Sequence, residues 1–457
     1  MKRRDFLRVS ALGLLAVGCS PSAPAAPTTA PAKPAEATKP AAAPASPASS
    51  PATAASPAAG ASPATAASPA ASPAASPSPG ASPAASPSPA AAVPSSGAAV
   101  AKAPVNLSGE IPIGAVWSLT GGAAVYGPQQ KNGSELAMNE INASGLLGTA
   151  KLRLIVEDDR SVKEGAIPAF EKLIGQDKVT AILGPTLSNS ARAAHPIAQD
   201  RQVVCLATSN TADGILETGD FVFRDSLPES VVVPNTVKVT VTRLGYKKVA
   251  VMYGEDDAFT KSGYDVFKQA LTDNRIETVT TETFKKGDTD YSAQLTKIRT
   301  LNPDAVILSA LAEEAAGIMV QGRQLGIPST VRFIGGNGLN SAQLAKLAGP
   351  AAEGAISGAA WFIAAEGPGN QAFVRAYREK YGAAPDQFAA QAYAGVYLLA
   401  TAIRNADATT GPAIRDALAK LKDVDTVLGK FSFAENREAV HTPIVQEVKN
   451  GEFALFA

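Results

Sequence analysis

The sequence predicts an α/β fold: two doubly wound, Rossmann-like lobes with a ligand cleft between them. Three observations carry this. From residue 111 onward, short Val- and Ile-rich runs alternate with amphipathic stretches of helical length. Buried parallel strands read as such continuous apolar runs, and crossover helices separate them. The alternation begins afresh near residue 230, and the foldable part, 105–457, is long for one doubly wound sheet and suits two.

The strands of the first round are IPIGAVWSL (111–119), KLRLIVED (151–158), VTAILGP (179–185), VVCLAT (203–208) and FVFRD (221–225). Helical patterns lie between them at 129–143, 162–176 and 188–200. The second round has strands KKVAVMYG (247–254), ETVTTETF (277–284), DAVILSA (304–310) and VRFIGG (331–336). Its helices fall at 230–244, 262–274, 291–301 and 313–325. A further strand, GAISGAAWF, and helices at 370–381 and 386–405 follow, then KFSFAEN and TPIVQEVKNGEFALF, where KNGEF marks a hairpin turn. These late pieces join sheets already begun, so the chain crosses between lobes more than once.

The first 104 residues belong to neither lobe. Residues 1–19 read as a secretion signal: Lys2, Arg3, Arg4 and Arg8 precede an apolar run from Val9 to Gly18, too short to span a bilayer. RRDFL resembles a twin-arginine export signal, Lys2 in place of its usual Ser or Thr leaves the ordinary secretory route open, and AVGC resembles a lipobox, which makes Cys19 the expected lipidation site. Residues 20–104 are almost entirely Ala, Pro, Ser, Thr and Gly. They cannot bury enough apolar surface to offset their ordering entropy and read as a tether, reaching ~50 Å as a random coil.

Composition excludes several functions. Residues 1–104 hold seven of the 41 Lys/Arg and two of the 41 Asp/Glu, which leaves the remainder with a net charge of −5. Nothing in that balance suggests nucleic acid. With Cys19 lipidated, Cys205 is alone in an apolar strand and reads as a small core residue. His195 and His441 are the only histidines, so no Cys/His zinc cluster is expected, and neither is a metal or cofactor. There is no G-x-S-x-G elbow, and both histidines read as surface or structural. The chain is therefore not expected to be an enzyme. The acid runs Glu157-Asp158-Asp159 and Glu255-Asp256-Asp257 end strands and read as loop and helix-start residues.

What remains is binding. The loop SLTGGAAVYGP (118–128) sits between a strand and a helix, but it lacks the spacing of a dinucleotide fingerprint or a P-loop. It offers two hydroxyls (Ser118, Thr120), glycines that let the backbone approach a small ligand, and Tyr126. GPTLSNSARAA (184–194) places Ser188 as a helix N-cap, where free N–H groups favour an anion; an ordinary capped helix reads the same way. ATSNTADG (207–214), DAFTKSG (257–263) and GGNGLN (335–340) follow later strands. Ligands of α/β folds bind at the carboxyl ends of strands, so these five loops, from two lobes, point to one cleft.

These segments, in this order, resemble the type I periplasmic binding proteins of ABC importers. They are most similar to the branched-chain and hydrophobic amino-acid binding group. SLTGGAAVYGPQQKNGSELAMNEINASG, LRLIVEDDRS, VTAILGPTLSNS, DTVLGKFSFAEN and PIVQEVKNGEF carry the resemblance over essentially the whole foldable part. It implies lobes of 105–228 plus 358–438 and 229–357 plus 439–457, with crossings near 225–230, 355–362 and 437–443. It implies that Tyr126 helps close over the ligand and that Ser188 binds a carboxylate. The Ala207 carbonyl and the Ser209 side chain would accept from an ammonium, and Phe259 would cover the ligand from the second lobe. Asn337 stands where relatives carry an acid against that ammonium, Leu311 stands where many have Tyr, and Tyr393 is placed on the far side of the cleft. An acid restored by Asn337→Asp would then tighten amino-acid binding. The implied partners are a small carboxylate- or amide-bearing ligand and an ABC permease with its ATPase, with membrane contact through the lipid alone. A sensor for an amide, urea or aromatic acid, reporting to a membrane signalling partner, is the alternative.

Overall fold

A computed structural model describes residues 105–456. The signal-like segment 1–19 with Cys19, and the tether 20–104, lie outside the described residues.

The first round of elements is β1 (Glu110–Trp117), α1 (Gly127–Ser144), β2 (Lys151–Asp158), α2 (Lys163–Gly175), β3 (Ala181–Leu183), α3 (Ser188–Asp200), β4 (Val204–Ala207) and β5 (Val222–Arg224). The second is α4 (Glu229–Leu244), β6 (Lys248–Gly254), α5 (Ala258–Asp273), β7 (Glu277–Phe284), α6 (Ser292–Leu301), β8 (Ala305–Ser309), α7 (Ala312–Gln324), β9 (Arg332–Gly335), α8 (Gln343–Ala348) and β10 (Ile356–Ala359). Then come α9 (Pro368–Tyr381), α10 (Gln387–Ala406), α11 (Gly411–Leu418), β11 (Val424–Thr426), β12 (Gly429–Phe433), β13 (Ala439–Val440), β14 (Ile444–Lys449) and β15 (Glu452–Leu455).

The first sheet has the order β2-β1-β3-β4-β5, all parallel. The second repeats this topology as β7-β6-β8-β9-β10 and adds β14 and β15 antiparallel at its far edge. Strand order reverses next to β1 in one sheet and next to β6 in the other. Those switch points open the crevice in which open α/β sheets bind ligands.

Side-chain alternation builds a core on each face. Along β1, Ile111, Ile113, Ala115 and Trp117 join α1 and α10 on one side, while Val116 joins α2 and α3 on the other. Along β8, Ala305 and Ile307 face one core, and Val306 and Leu308 the other. Cys205 is fully buried, its thiol directed at the Gly184 carbonyl at 3.2 Å, and burial pushes its pKa up. His195 is equally buried, donates from Nε2 to the same carbonyl, and is pushed down to about 4 by burial.

Two expected lobe boundaries shift. Gly358 and Ala359 pair with β14 in the second sheet, so the crossing falls after 359 and not at 358. Ala439 and Val440 pair with β12, which packs on the first core, so the last crossing follows 440 and not 438. In each case the strand's last ladder partners keep it in its sheet.

The hairpin turn read from KNGEF joins β14 to β15, with φ of +54° at Asn450 and +77° at Gly451. A two-residue turn with both central φ positive matches the strand twist. Gly451→Ala is expected to cost about 1 kcal/mol, read as a lower thermal midpoint, because a side chain there is forced into the left-handed region.

Candidate functional site

Between the two sets of strand ends lies a narrow cavity, whose empty space is ≈ 310 Å³ with its opening to solvent included. Its walls come from the loops after β1, β3 and β4 in the first lobe and after β6, β8 and β9 in the second. Tyr126, Leu187, Phe259, Leu311 and Phe388 make it largely apolar, and Thr186, Ser188, Ser209, Thr211 and Asn337 supply polar points.

The Gly-rich loop is held by two acids at the end of β2. Asp158 accepts from the Leu119 N–H at 3.0 Å and the Thr120 hydroxyl at 2.7 Å, and Asp159 accepts from the Ser118 hydroxyl at 2.7 Å. The hydroxyls of Ser118 and Thr120 are therefore structural and not offered to a ligand. The glycines serve the same end. At Gly127 a Cβ would lie 2.1 Å from the Ser118 carbonyl oxygen, so the loop folds back on itself only with glycine there.

Tyr126, at the end of this loop, crosses the cleft. Its hydroxyl donates to the Gly338 carbonyl at 2.8 Å and accepts from the Ala312 N–H at 2.6 Å, both in the second lobe. Its ring lies 4.3 Å from that of Phe388. Other bonds join the lobes nearby. Asn189 Nδ2 donates to Asp257 Oδ2 at 3.0 Å, and Asn189 Oδ1 accepts from the Ala258 N–H at 3.0 Å.

Ser188 is the first residue of α3 and not its cap. Leu187 holds the capping position, with no side-chain hydrogen bond. The Ser188 hydroxyl is buried and has no partner among the described residues. Neighbouring helix starts differ. Asp257 accepts from the Phe259 and Thr260 N–H groups at α5, Glu314 from the Leu311 N–H at α7, and Asp386 from the Ala389 N–H at α10. Each carries an acid, whereas α3 has none in its first turn. A helix N-terminus with unpaired N–H groups, a free hydroxyl and no carboxylate of its own favours an anion.

The expected ammonium side is built differently from the sequence reading. Ala207 is not among the residues that line the cavity, and its carbonyl accepts from the Asp225 N–H at 3.1 Å, because β4 pairs with β5 there. Ser209 reaches the cavity, with its hydroxyl donating to the Thr186 carbonyl at 2.7 Å and accepting from Gln130 Nε2 at 2.9 Å. Gln130 also accepts from the Thr186 hydroxyl at 2.7 Å, which ties α1 to the loops after β3 and β4. Asn337 lines the cavity, but its amide is committed: Nδ2 donates to Glu229 Oε1 at 2.9 Å and to the Leu227 carbonyl at 3.2 Å. Its Oδ1 accepts from Gln387 Nε2 at 3.1 Å, which leaves one lone pair.

Phe259 stands where it was expected, in the first turn of α5. Gly338 makes room for it, since a Cβ there would lie 2.3 Å from the Ala310 carbonyl oxygen and 2.9 Å from the Phe259 ring. Tyr393 does not reach the cleft. It lies in the first-lobe core and hydrogen-bonds to Glu140 on α1, with Tyr397 bonding the same carboxylate at 2.9 Å. The aromatic that α10 gives the cavity is Phe388, and five residues further along a helix is a rotation of about 140°.

Sequence reading missed Glu229, which is 1% exposed. Its Oε1 accepts from the Thr211 hydroxyl at 3.2 Å and the Asn337 N–H at 3.3 Å, besides Asn337 Nδ2. Burial raises its pKa to about 7, against the lowering effect of the Asn337 bonds. The one available signal was an acid at the first position of a helix, which many surface helices share.

The family model described as periplasmic binding protein matches residues 110–452, three-quarters of the chain. The chain belongs to this family. It is a solute-binding protein of exported type, not an enzyme. A Leu/Ile/Val-binding protein of Rhizobium johnstonii is 29% identical over 340 residues, covering 74% of this chain and 91% of that one. The leucine-, isoleucine-, valine-, threonine- and alanine-binding protein of Pseudomonas aeruginosa is 25% identical, over 76% and 89%. Among solved structures, the branched-chain amino-acid transporter substrate-binding protein LivJ of Streptococcus pneumoniae, in complex with isoleucine, is 30% identical. It superposes with a TM-score of 0.72, over 75% of this chain and 97% of that one. The two-lobed, doubly wound architecture is that of these type I periplasmic binding proteins.

Proposed function

We propose that this protein captures a hydrophobic amino acid, a branched-chain one foremost, between its lobes and delivers it to the permease of an ABC importer. In this reading, lipid on Cys19 anchors the chain to the membrane and residues 20–104 let the lobes reach the permease. The buried, partnerless Ser188 hydroxyl carries the proposal. It stands at a helix start without an acid and faces an apolar cavity between two lobes, so it suits a carboxylate with an aliphatic tail. The relatives named for Leu, Ile and Val support the ligand class. Ser188 binds the carboxylate, Ser209 and Asn337 face the other end of the ligand, and Tyr126, Phe259 and Phe388 enclose its side chain.

Isothermal titration with leucine, isoleucine and valine tests this. Binding is expected with each, and Ser188→Ala is expected to weaken it about 10- to 50-fold, the worth of a hydrogen bond to a charged group. Heat without any amino-acid dependence, or a Ser188→Ala variant that binds like the parent, would sink the assignment.

A further inference from the structure

We propose that Glu229 supplies the negative charge for the ligand's ammonium, through Asn337 and Thr211, in place of the acid that position 337 lacks. This inference rests on the amino-acid reading above and concerns what makes the site prefer a zwitterion to a plain carboxylate.

Asn337 and Thr211 both line the cavity, and both bond to Glu229 Oε1 from behind it. The carboxyl is thus one residue removed from the ligand's expected ammonium end. The amide of Asn337 is oriented by it. Its two Nδ2 hydrogens point at Glu229 and Leu227, so only Oδ1 can turn towards a ligand. The opposite orientation would set Oδ1 against two acceptors. Glu229 therefore makes Asn337 an acceptor and stands behind it as the charge.

The space around the carboxyl is shaped for it. A Cβ at Gly336 would lie 2.4 Å from Glu229 Oε2, and one at Gly263 would lie 3.7 Å away. None of the ion pairs among the described residues involves Glu229, and the nearby acid Asp213 works against its ionisation. A buried carboxyl with three donors and no cation is costly unless it is neutral or a cation arrives. An ammonium in the cavity is that cation. Its arrival favours the ionised form, so capture of an amino acid near neutral pH releases a proton from Glu229. Of the other buried acids, Asp257, Glu314 and Asp386 each cap a helix, Asp159 accepts from the Ser118 hydroxyl, and Asp225, just after β5, has its pKa raised by burial.

The test is isothermal titration near pH 7 in buffers of different ionisation enthalpy. The ligands are L-leucine and 4-methylpentanoate, which has the same tail and carboxylate but no ammonium. For the parent protein, leucine is expected to release a measurable fraction of a proton and 4-methylpentanoate none. Glu229→Gln is expected to abolish the release, to weaken leucine about tenfold and to change 4-methylpentanoate less than about threefold. Leucine binding to the parent without proton release overturns the inference, and this arm needs no variant to fold. Full leucine affinity in Glu229→Gln overturns it as well. Failure of every amino acid to bind removes the parent reading instead.

Discussion

Tyr126→Ala is expected to weaken ligand binding by about a hundredfold or more, while the ligand-free protein loses little stability. The reason is where the side chain acts. Its ring belongs to a cluster with Phe259, Leu311 and Leu339 of the second lobe and with Phe388. Its hydroxyl satisfies the Gly338 carbonyl and the Ala312 N–H across the cleft. Truncation leaves both groups buried and unpaired when the lobes are shut, at about 1–3 kcal/mol each. When the lobes part, water reaches them and the cost disappears. The penalty therefore falls on the closed state alone, and about 3 kcal/mol there is roughly a 150-fold loss of apparent affinity. Tyr126→Phe keeps the ring and removes only the hydroxyl, so it leaves the same two groups unpaired and is expected to lose most of that hundredfold. Titration gives the affinity, and small-angle scattering with and without leucine gives closure. A Tyr126→Ala protein that binds and compacts like the parent would remove Tyr126 from the closing contacts.

The fold was largely legible because its signal is repetitive. Strands such as VTAILGP and DAVILSA are apolar on both faces, as only doubly covered parallel strands are. The helix patterns between them fell within a few residues of α1 to α7. The short α8 and α11 were not read, since six and eight residues give too little periodicity. The site was legible in part. Tyr126, Ser188, Ser209, Phe259 and Asn337 do meet in one cavity, because each follows a strand end and topology brings those ends together. What the pattern did not give was bonding. Ser118 and Thr120 read as ligand hydroxyls, but Asp158 and Asp159 consume them. Tyr393 and Phe388 share a helix, and only its rotation relative to the sheet decides which one faces the cleft. Glu229 is 108 residues from Asn337, and no local spacing links a helix-start acid to a loop in a different strand crossing.

That last contact reverses the expectation for Asn337→Asp. From the resemblance alone, an acid at 337 restores an ion pair and tightens binding. In the structure, Asn337 Nδ2 donates to Glu229 Oε1 at 2.9 Å, so the substitution sets a second carboxylate against the first. Two carboxyls at that distance cannot both ionise, and one is held protonated. The sign of the pH dependence follows. Burial already raises Glu229 from 4.5 to about 7, so its contribution to stability is fully present below about 4.5 and lost as pH rises through about 7. The loss is about 3 kcal/mol for the parent. A second acid beside it extends the decline to higher pH. The Leu227 carbonyl also loses its donor, at about 1–3 kcal/mol at any pH. The ligand-free variant is therefore expected to be about 2 kcal/mol less stable than the parent at pH 5.5 and about 4 kcal/mol less stable at pH 8. Urea unfolding at the two pH values measures both. A deficit that is equal at both, or larger at pH 5.5, would show that the new carboxylate does not share Glu229's site. Leucine affinity above the parent's at pH 7 would return the countercharge to position 337 and take it from Glu229.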